Sequence, residues 1–304
     1  MIKAIEVWVP DSTRSTLELQ SGHYGELSEL RAISEKKRFA FGAGLPGMAW
    51  AAGHPLITDS ESDDFHRSAV ARKSGISSVA AIPVFAGDYL TGVLTILLSD
   101  VDKDVGALEI WHCDLRTSYD LRLDSGHFGQ LKYFESTARH TSFRQGTGLP
   151  GRAWEDGMPV LMEDLGHSHA FIRREGALRA GITTGLAFPV FHDPAHVYIV
   201  AMLSSATTPI ARQIEVWERD PLGPGLVFRH GHSPIDEDLS ARYQKTQIAP
   251  REGMLGRALF SGVPTLSTNL ERDTPVSLQA GVTKGVALPV IDNGRCRALI
   301  ALYD

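Results

Sequence analysis

The feature that most constrains this chain is an internal repeat, because three motifs recur in the same order at intervals of roughly a hundred residues. The first motif ends in tryptophan and occurs at Ile5–Trp8, Leu108–Trp111 and Ile214–Trp217. The second is a glycine-proline turn at Gly44–Trp50 and Gly148–Trp154, with a looser copy at Gly253–Leu259. The third leads from a glycine to a Pro-Val pair, at Gly75–Phe85, Gly181–Phe191 and Gly281–Ile291. This period has the length of a domain, so we expect three homologous domains, 1–103, 104–209 and 210–304.

Within each unit the pattern predicts an α+β fold built on an antiparallel sheet. The alternation over Ile5–Val9 predicts a strand with Glu6 and Trp8 on the same face. Hairpin-length connections join the strands at both ends of the unit, and such connections favour antiparallel pairing. The turn at Gly44–Gly47 opens a short helix, which Gly53 can end in a left-handed cap.

Composition limits the partners and the compartment. The net charge of −6 is spread along a chain that is 43% hydrophobic, which argues against nucleic-acid or basic membrane contacts. Two cysteines are too few for a disulfide framework or a four-thiolate metal site, and they fit a reducing cytosol. The start of the chain does not read as a secretory leader, and the apolar runs are too short for a membrane helix. We expect a soluble cytoplasmic protein that contacts neither nucleic acid nor membrane.

The last strand of each unit is apolar at both alternating sets of positions. These strands are predicted at Val93–Leu98, Tyr198–Leu203 and Ala298–Tyr303. A strand with this pattern is buried on both faces of its sheet. We therefore expect the three domains to pack sheet against sheet or helix with one another, or with a second chain, which leaves a homo-oligomer open.

The repeated motifs resemble the GAF domain, a sensory module of signalling kinases, phosphodiesterases and phytochromes. In the first copy the resemblance rests on Phe41–Trp50, Gly53–Ile57, Asp59, Pro83–Val84 and Gly92–Leu94. The second copy matches well, and the third matches more weakly. The resemblance implies, in each domain, a central antiparallel sheet with helices and loops over a pocket on one face. The short links between units differ from the long connecting helices that are common in tandem GAF proteins.

The resemblance also points to candidate ligand-binding residues over two of the pockets, namely Trp50, Phe65, His66, Arg67, Trp154, Phe171 and Arg173. The two tryptophans follow the glycine turn, where they either line a pocket or pack in the core. An arginine above an apolar pocket can hold an anion through two parallel hydrogen bonds, although a surface salt bridge is the more common role of such a residue. The third copy lacks both the phenylalanine and the arginine in its segment 272–276, so we expect a degenerate pocket there.

Three histidines, His23, His127 and His232, occupy equivalent positions after the second strand of each unit. A haem or metal site needs several converging ligands, and no second repeated histidine, cysteine or carboxylate accompanies them. We therefore favour turn packing with a backbone hydrogen bond over ligation.

No feature of the sequence supports catalysis or a covalent chromophore. Cys113 lies in a first strand and Cys296 in a turn, away from the position that the resemblance implies for bilin attachment. The free methionine-sulfoxide reductases of this fold use several cysteines in one domain, whereas each cysteine here lies in a different one. The glycine turn lacks the Lys-Ser/Thr of a phosphate loop, and no Ser-His-Asp arrangement recurs.

The sequence therefore predicts a non-catalytic cytoplasmic sensory or small-molecule-binding protein in signal transduction. It would act through a protein partner that carries the output function, and the small-molecule ligand and any cofactor stay unassigned. The alternative is a scaffold or oligomerisation protein whose GAF pockets are packed shut and hold no ligand.

Overall fold

The computed structural model describes residues 1–100, 104–234, 238–273 and 282–304, and it contains three units of one architecture. We call these units domains 1, 2 and 3. The boundary predicted near Lys103 and the repeat glycine Gly281 lie outside the described residues. The boundary near Pro209 falls between the last strand of domain 2 and the first strand of domain 3.

Domain 1 contains β1 (Ile2–Pro10), β2 (Thr16–His23), α1 (Ser28–Ser34), β3 (Arg38–Ala40), α2 (Gly44–Ala52), β4 (Leu56–Asp59), α3 (Ser68–Lys73), β5 (Ser78–Ala86) and β6 (Tyr89–Leu98). Domain 2 contains β7 (Gly106–Asp114), β8 (Asp120–His127), α4 (Lys132–Arg139), β9 (Ser142–Arg144), α5 (Gly148–Asp156), β10 (Val160–Met162), α6 (Arg174–Ala180), β11 (Thr184–Val190) and β12 (His196–Ser204). Domain 3 contains β13 (Gln213–Arg219), β14 (Leu226–His232), α7 (Leu239–Tyr243), β15 (Gln247–Ile248), α8 (Gly253–Ser261), β16 (Thr265–Ser267), α9 (Leu270–Asp273), β17 (Gly285–Asp292) and β18 (Arg295–Tyr303). None of the helices in these ranges is long and apolar enough to cross a membrane.

Each domain forms one six-stranded sheet, and the strand order is the same in all three. In domain 1 the order is β3-β2-β1-β6-β5-β4, and all adjacent strands pair antiparallel. The first and last strands of the unit lie side by side at the centre of the sheet, with Trp8 of β1 opposite Val93 of β6. The α+β class with antiparallel sheets that the sequence predicts is confirmed.

Both faces of each sheet are buried, as the doubly apolar strands predict. In domain 1, Trp8 and Leu97 face a core beneath the helices of the same domain. Val7, Leu94 and Ile96 point the other way, into a second core that also contains residues of domains 2 and 3. This shared core joins the outer faces of all three sheets, so the domains pack on one another within a single chain.

The three sheets meet along the repeated Pro-Val motifs. Pro83, Pro189 and Pro289 lie with their neighbours around one small space where β5, β11 and β17 converge. In β5 the partner strand β4 pairs only with Ser78–Ala81, so Pro83 lies beyond it on a free edge. A proline lacks the backbone N–H that a strand neighbour would need, and such an edge is where a sheet tolerates it. The repeated proline therefore ends edge pairing at the point where the three domains approach.

Contacts between domains close a ring, because the first domain touches the third. Gly53 ends α2 in the left-handed conformation, as predicted, and packs against domain 2, where an added Cβ would lie 2.3 Å from the His192 ring. The equivalent end of α8 contacts domain 1, where the Thr91 hydroxyl donates a 2.7 Å hydrogen bond to the carbonyl of Gly262. Equivalent surfaces thus meet at each junction around a pseudo-threefold axis.

The repeated histidines belong to these junctions rather than to turns within one domain. His23 Nε2 lies 3.0 Å from the Ser267 carbonyl oxygen in domain 3. His127 Nδ1 lies 3.0 Å from the Ser78 hydroxyl in domain 1, and His232 Nδ1 lies 3.1 Å from Glu163 of domain 2. Local turn packing was expected at these positions, but each histidine contacts the neighbouring domain. The described residues also hold no cluster of three or more His, Cys, Asp or Glu side chains that could bind a metal ion.

Candidate functional site

The predicted pocket residues of domains 1 and 2 occupy equivalent places in the fold. Phe65 and Arg67 directly precede α3, and Phe171 and Arg173 directly precede α6. All four side chains are buried, and both arginines are at most 6% exposed. His66, by contrast, is exposed at the domain surface.

The two predicted tryptophans are half-buried and do not reach the arginines through any described contact. Trp50 packs edge-to-face on Phe41, with ring centroids 5.2 Å apart. Trp154 packs partly against the core of domain 2 and lines a cleft at the edge of that domain. The structure therefore brings together Phe65 with Arg67, and Phe171 with Arg173, but places the tryptophans elsewhere.

Each pocket arginine is bound to a fully buried glutamate from the first strand of its own domain. Arg173 donates two hydrogen bonds of 2.6 Å, one to each carboxylate oxygen of Glu109. Arg67 contacts Glu6 in the same way, through a short bond to Oε1 and a 2.9 Å bond to Oε2. This bidentate arrangement is the one that a ligand carboxylate would otherwise make.

The Glu6 carboxylate is fully satisfied without a ligand. Tyr24 and Ser34 each donate a 2.9 Å hydrogen bond to Oε1, and Thr95 donates one of 2.9 Å to Oε2. Burial alone raises the pKa of Glu6, but the charge and hydrogen bonds of Arg67, together with those from Thr95 and Tyr24, outweigh it and lower the pKa below its usual value. Glu6 is therefore an ionised group in the interior of domain 1.

Aromatic rings surround both guanidinium groups. The Arg67 Cζ atom lies 5.0 Å from the Phe65 ring centroid and 5.5 Å from that of Trp8. The Arg173 Cζ atom lies 4.5 Å from Phe134 and 5.5 Å from Phe171. A ring face attracts a cation, so these contacts add to the ion pair and fill the space above the carboxylate. The protein's own side chains thus occupy the place that an anionic ligand bound to these arginines would take.

Domain 3 keeps the glutamate, and no described cation pairs with it. Glu215 accepts hydrogen bonds from Trp217 Nε1, at 2.7 Å, and from the Gln213 amide, and it lies close to Tyr243. Burial raises the pKa of Glu215, since these uncharged donors compensate only in part. The segment 274–281, which covers most of the predicted counterpart of the arginine region, lies outside the described residues.

The strand glutamates are the functional candidates that the sequence reasoning missed. Glu6, Glu109 and Glu215 stand two residues before the repeated tryptophan, and each accepts a hydrogen bond from that tryptophan's indole N–H. The sequence did contain a signal for these glutamates, because a charged residue recurs in all three units on the strand face that also carries the tryptophan.

A cleft open to solvent lies at one end of the pseudo-threefold axis. It has a volume of about 600 Å³ and is lined by the hairpin turns β5–β6, β11–β12 and β17–β18 together with the end of α5. We call it the axial cleft; its lining includes Phe85, Asp88, Trp154, Phe191, Tyr198 and Asp292. The Tyr198 ring is stacked between His54 and His112, with centroid distances of 4.4 Å on each side. The axial cleft is thus walled by aromatic side chains and takes residues from all three domains.

The chain was compared with known families, curated proteins and solved structures. No family model matches the sequence, and no curated protein matches it. Similar solved structures include the A. Aeolicus nlh2 GAF domain in an inactive state, which is 19% identical over 34% of this chain and 60% of that chain, with a TM-score of 0.27. Another is the GAF domain of a phosphoenolpyruvate-protein phosphotransferase (ptsP) from Coxiella burnetii, 20% identical over 32% of this chain and 56% of that chain, with a TM-score of 0.26.

A third similar structure is the free methionine-R-sulfoxide reductase from Neisseria meningitidis in complex with its substrate. It is 22% identical over 32% of this chain and 52% of that chain, with a TM-score of 0.25. Each match spans about one domain of this chain and little more than half of the relative. Its three six-stranded sheets share one strand order, so the chain consists of three tandem domains of one α+β fold.

The buried ion pair of domain 1 can be tested by removing one partner. Arg67→Met leaves the Glu6 charge buried without its cation, so we expect it to lower the free energy of unfolding by roughly 3–5 kcal/mol. The double variant E6Q/R67M removes both charges and should recover most of this loss. Arg31→Gln, which breaks an exposed pair with Glu35, should change it by less than about 0.5 kcal/mol. Urea unfolding measures all three, and a cost below about 1 kcal/mol for R67M would show that the pair is not a structural element.

The buried glutamates of domains 1 and 3 should give opposite pH dependences. Folded Glu215 keeps its proton above the usual pKa of 4.5 while the unfolded chain loses it, so this group lowers stability as pH rises beyond that value. Glu215→Gln should therefore gain stability relative to wild type, by up to about 1.4 kcal/mol per pH unit.

Folded Glu6 has a lowered pKa, so its contribution is present above pH 4.5 and is lost as pH falls through the folded value. Glu6→Gln should accordingly lose stability relative to wild type as pH rises towards 4.5 and then stay level. Unfolding curves between pH 3 and pH 8 measure both differences. If the difference in unfolding free energy from wild type changed with pH in the same direction for both variants, these ionisation states would be contradicted.

Proposed function

We propose that this chain is a non-catalytic, cytoplasmic small-molecule-binding protein of the sensory type. In this proposal the ligand binds in the axial cleft, and a protein partner carries the output in signal transduction. The observation that supports it most directly is the composition of the cleft, because one ligand there would contact all three domains at once.

The size and lining of the axial cleft suit a small organic molecule. Its volume of about 600 Å³ falls within the range of about 300–1,000 Å³ that is typical of ligand pockets. Trp154 provides an apolar ring surface, while Asp88 and Asp292 provide polar groups from domains 1 and 3. A ligand held between these groups would favour one arrangement of the domains, which is the physical requirement for a sensor.

The proposal moves the ligand away from the internal pockets of domains 1 and 2. Arg67 and Arg173 already bind carboxylates of their own domain in full bidentate geometry. An anionic ligand would have to displace a buried glutamate, and this would leave that glutamate's charge unpaired. Trp154 is the predicted binding residue that the axial cleft retains.

The surface of domain 2 supports the choice of a protein partner. Three large apolar side chains around α4 and α6, namely Tyr133, Ile172 and Leu178, are each at least 50% exposed. Their counterparts in domain 1 are polar or charged, so the fold does not require apolar residues at these positions. Exposed apolar groups that share a face are typical of protein contact sites.

Both cysteines are free thiols, in keeping with a reducing compartment.

A scaffold function is the second candidate, and the closed internal pockets favour it. If the axial cleft binds nothing, the three domains form a rigid body whose role is to present surfaces. The two candidates differ in whether any small molecule stabilises the folded chain.

Ligand binding can be tested by native mass spectrometry of the purified chain and by thermal shift against a metabolite panel. A bound ligand at a hundredfold its Kd adds about 2.7 kcal/mol to the free energy of unfolding, which raises the melting temperature measurably. Trp154→Ala should abolish the shift, whereas Trp50→Ala removes the equivalent residue of domain 1 and should retain it. The absence of any bound mass and of any shift across the panel would favour the scaffold. A shift lost in W50A and kept in W154A would move the site to domain 1.

A further inference from the structure

A second cleft lies beside the axial cleft and differs from it in charge. It has a volume of about 630 Å³ and is formed by the end of β13, the start of β18, the end of α8 and one residue of domain 2. We call it the arginine cleft; its lining is Met158, Glu218, Arg219, Leu259 and the segment Gly294–Arg297. The floor is apolar, because Met158 and Leu259 are only 8% and 7% exposed.

Three arginines line this cleft, and all three are exposed to solvent. The β13–β18 ladder pairs Glu218 with Ala298, which places Arg219 beside Arg297 on the neighbouring strand. Arg295, the first residue of β18, lies two positions before Arg297 on the same strand. The arginine cleft therefore collects three cations in a chain whose net charge is −6.

Two of these cations have no counter-charge among the residues that the structure describes. Arg297 donates a 3.0 Å hydrogen bond to Asp292. Glu218, the one carboxylate in the lining, is paired with Arg229 at 2.8 Å. The guanidinium groups of Arg219 and Arg295 form neither an ion pair nor a hydrogen bond with any side chain in the described part of the chain. Their mutual repulsion favours an anion between them.

The thiol in the lining does not supply this anion. Burial raises the pKa of Cys296 to about 12, although the nearby Arg219 charge lowers it in part. Cys296 is therefore uncharged at neutral pH, and it is partly buried against the shared core and the core of domain 3.

The repeat shows that the fold does not require these arginines. The register of the paired strands places Pro10 and Cys113 of domains 1 and 2 at the position of Arg219. It places Thr91 and Val197 at the position of Arg297. The counterparts of Arg219 and Arg297 are uncharged in both other domains, so the fold itself does not require these two arginines.

We propose that the arginine cleft is a binding site for a small organic anion, one that carries a carboxylate or phosphate group on an apolar body. The charged group would lie between Arg219 and Arg295, since guanidinium planes form bidentate hydrogen bonds with such oxygens. The apolar body would pack on Met158 and Leu259. This site is separate from the ligand site of the proposed function, and Arg297 lies on the wall between the two clefts.

The test is isothermal titration of the full chain with four probes: inorganic phosphate, phenyl phosphate, acetate and benzoate. We expect phenyl phosphate or benzoate to bind at least tenfold more tightly than the matching probe without the ring. The pair that binds shows whether the site prefers phosphate or carboxylate. Binding should weaken as NaCl is raised, because the contact is between charges.

The double variant R219Q/R295Q should weaken binding at least tenfold. Arg122→Gln removes an exposed strand arginine outside the cleft and should leave the affinity unchanged. Far-ultraviolet circular dichroism checks that both variants keep the wild-type fold. The proposal is overturned if no probe binds, if R219Q/R295Q binds as tightly as wild type, or if the ring adds no affinity. Neither substituted residue lines the axial cleft, so these results do not depend on the ligand of the proposed function.

Discussion

The rest of this structure depends on one apolar core that three sheets share. Val7, Phe188 and Leu288 come from three different domains and meet on the outer faces of their sheets. The accessible surface of 13687 Å² is close to the roughly 12,500 Å² that surface scaling gives for one globule of this mass. Three separate domains of a third that mass would expose about 16,900 Å². Domain packing therefore removes on the order of 3,000 Å² from water, which is in the range of obligate interfaces.

This shared core explains why the interiors of the domains could diverge. Domains 1 and 2 fill their pockets with an arginine and a carboxylate, whose burial is tolerated because each charge is fully paired and hydrogen-bonded. Domain 3 holds Glu215 among uncharged donors in the described residues, at a cost that burial of its outer face helps to offset. Function can then move from the internal pockets to the junctions, where each pair of domains makes a different surface from one common scaffold.

The sequence predicted most of the fold because the relevant signals are local or periodic. The repeat gave three units, the doubly apolar final strands indicated two buried faces, and Gly53 predicted the helix end that is observed. It could not predict the partner of Arg67, since which of many carboxylates faces a guanidinium depends on how the chain folds back over sixty residues. For the same reason, the sequence did not predict the histidine contacts between domains. His23 and Ser267 are 244 residues apart, and only the closed ring brings them together. No sequence motif indicates either cleft, because each cleft is lined by residues from several separate elements.

The central claim is that the three domains fold as one body around the shared core, and calorimetry tests it most directly. Multi-domain chains commonly unfold in separable steps, and then the calorimetric enthalpy exceeds the van't Hoff enthalpy. For this chain the account predicts one transition in which the two enthalpies agree. It also predicts that tryptophan fluorescence, to which Trp8, Trp111 and Trp217 contribute from the three domains, changes in one step at the same temperature as the heat absorption. Two or three resolved transitions, or a calorimetric enthalpy two to three times the van't Hoff value, would show that the domains are independent and would contradict the account.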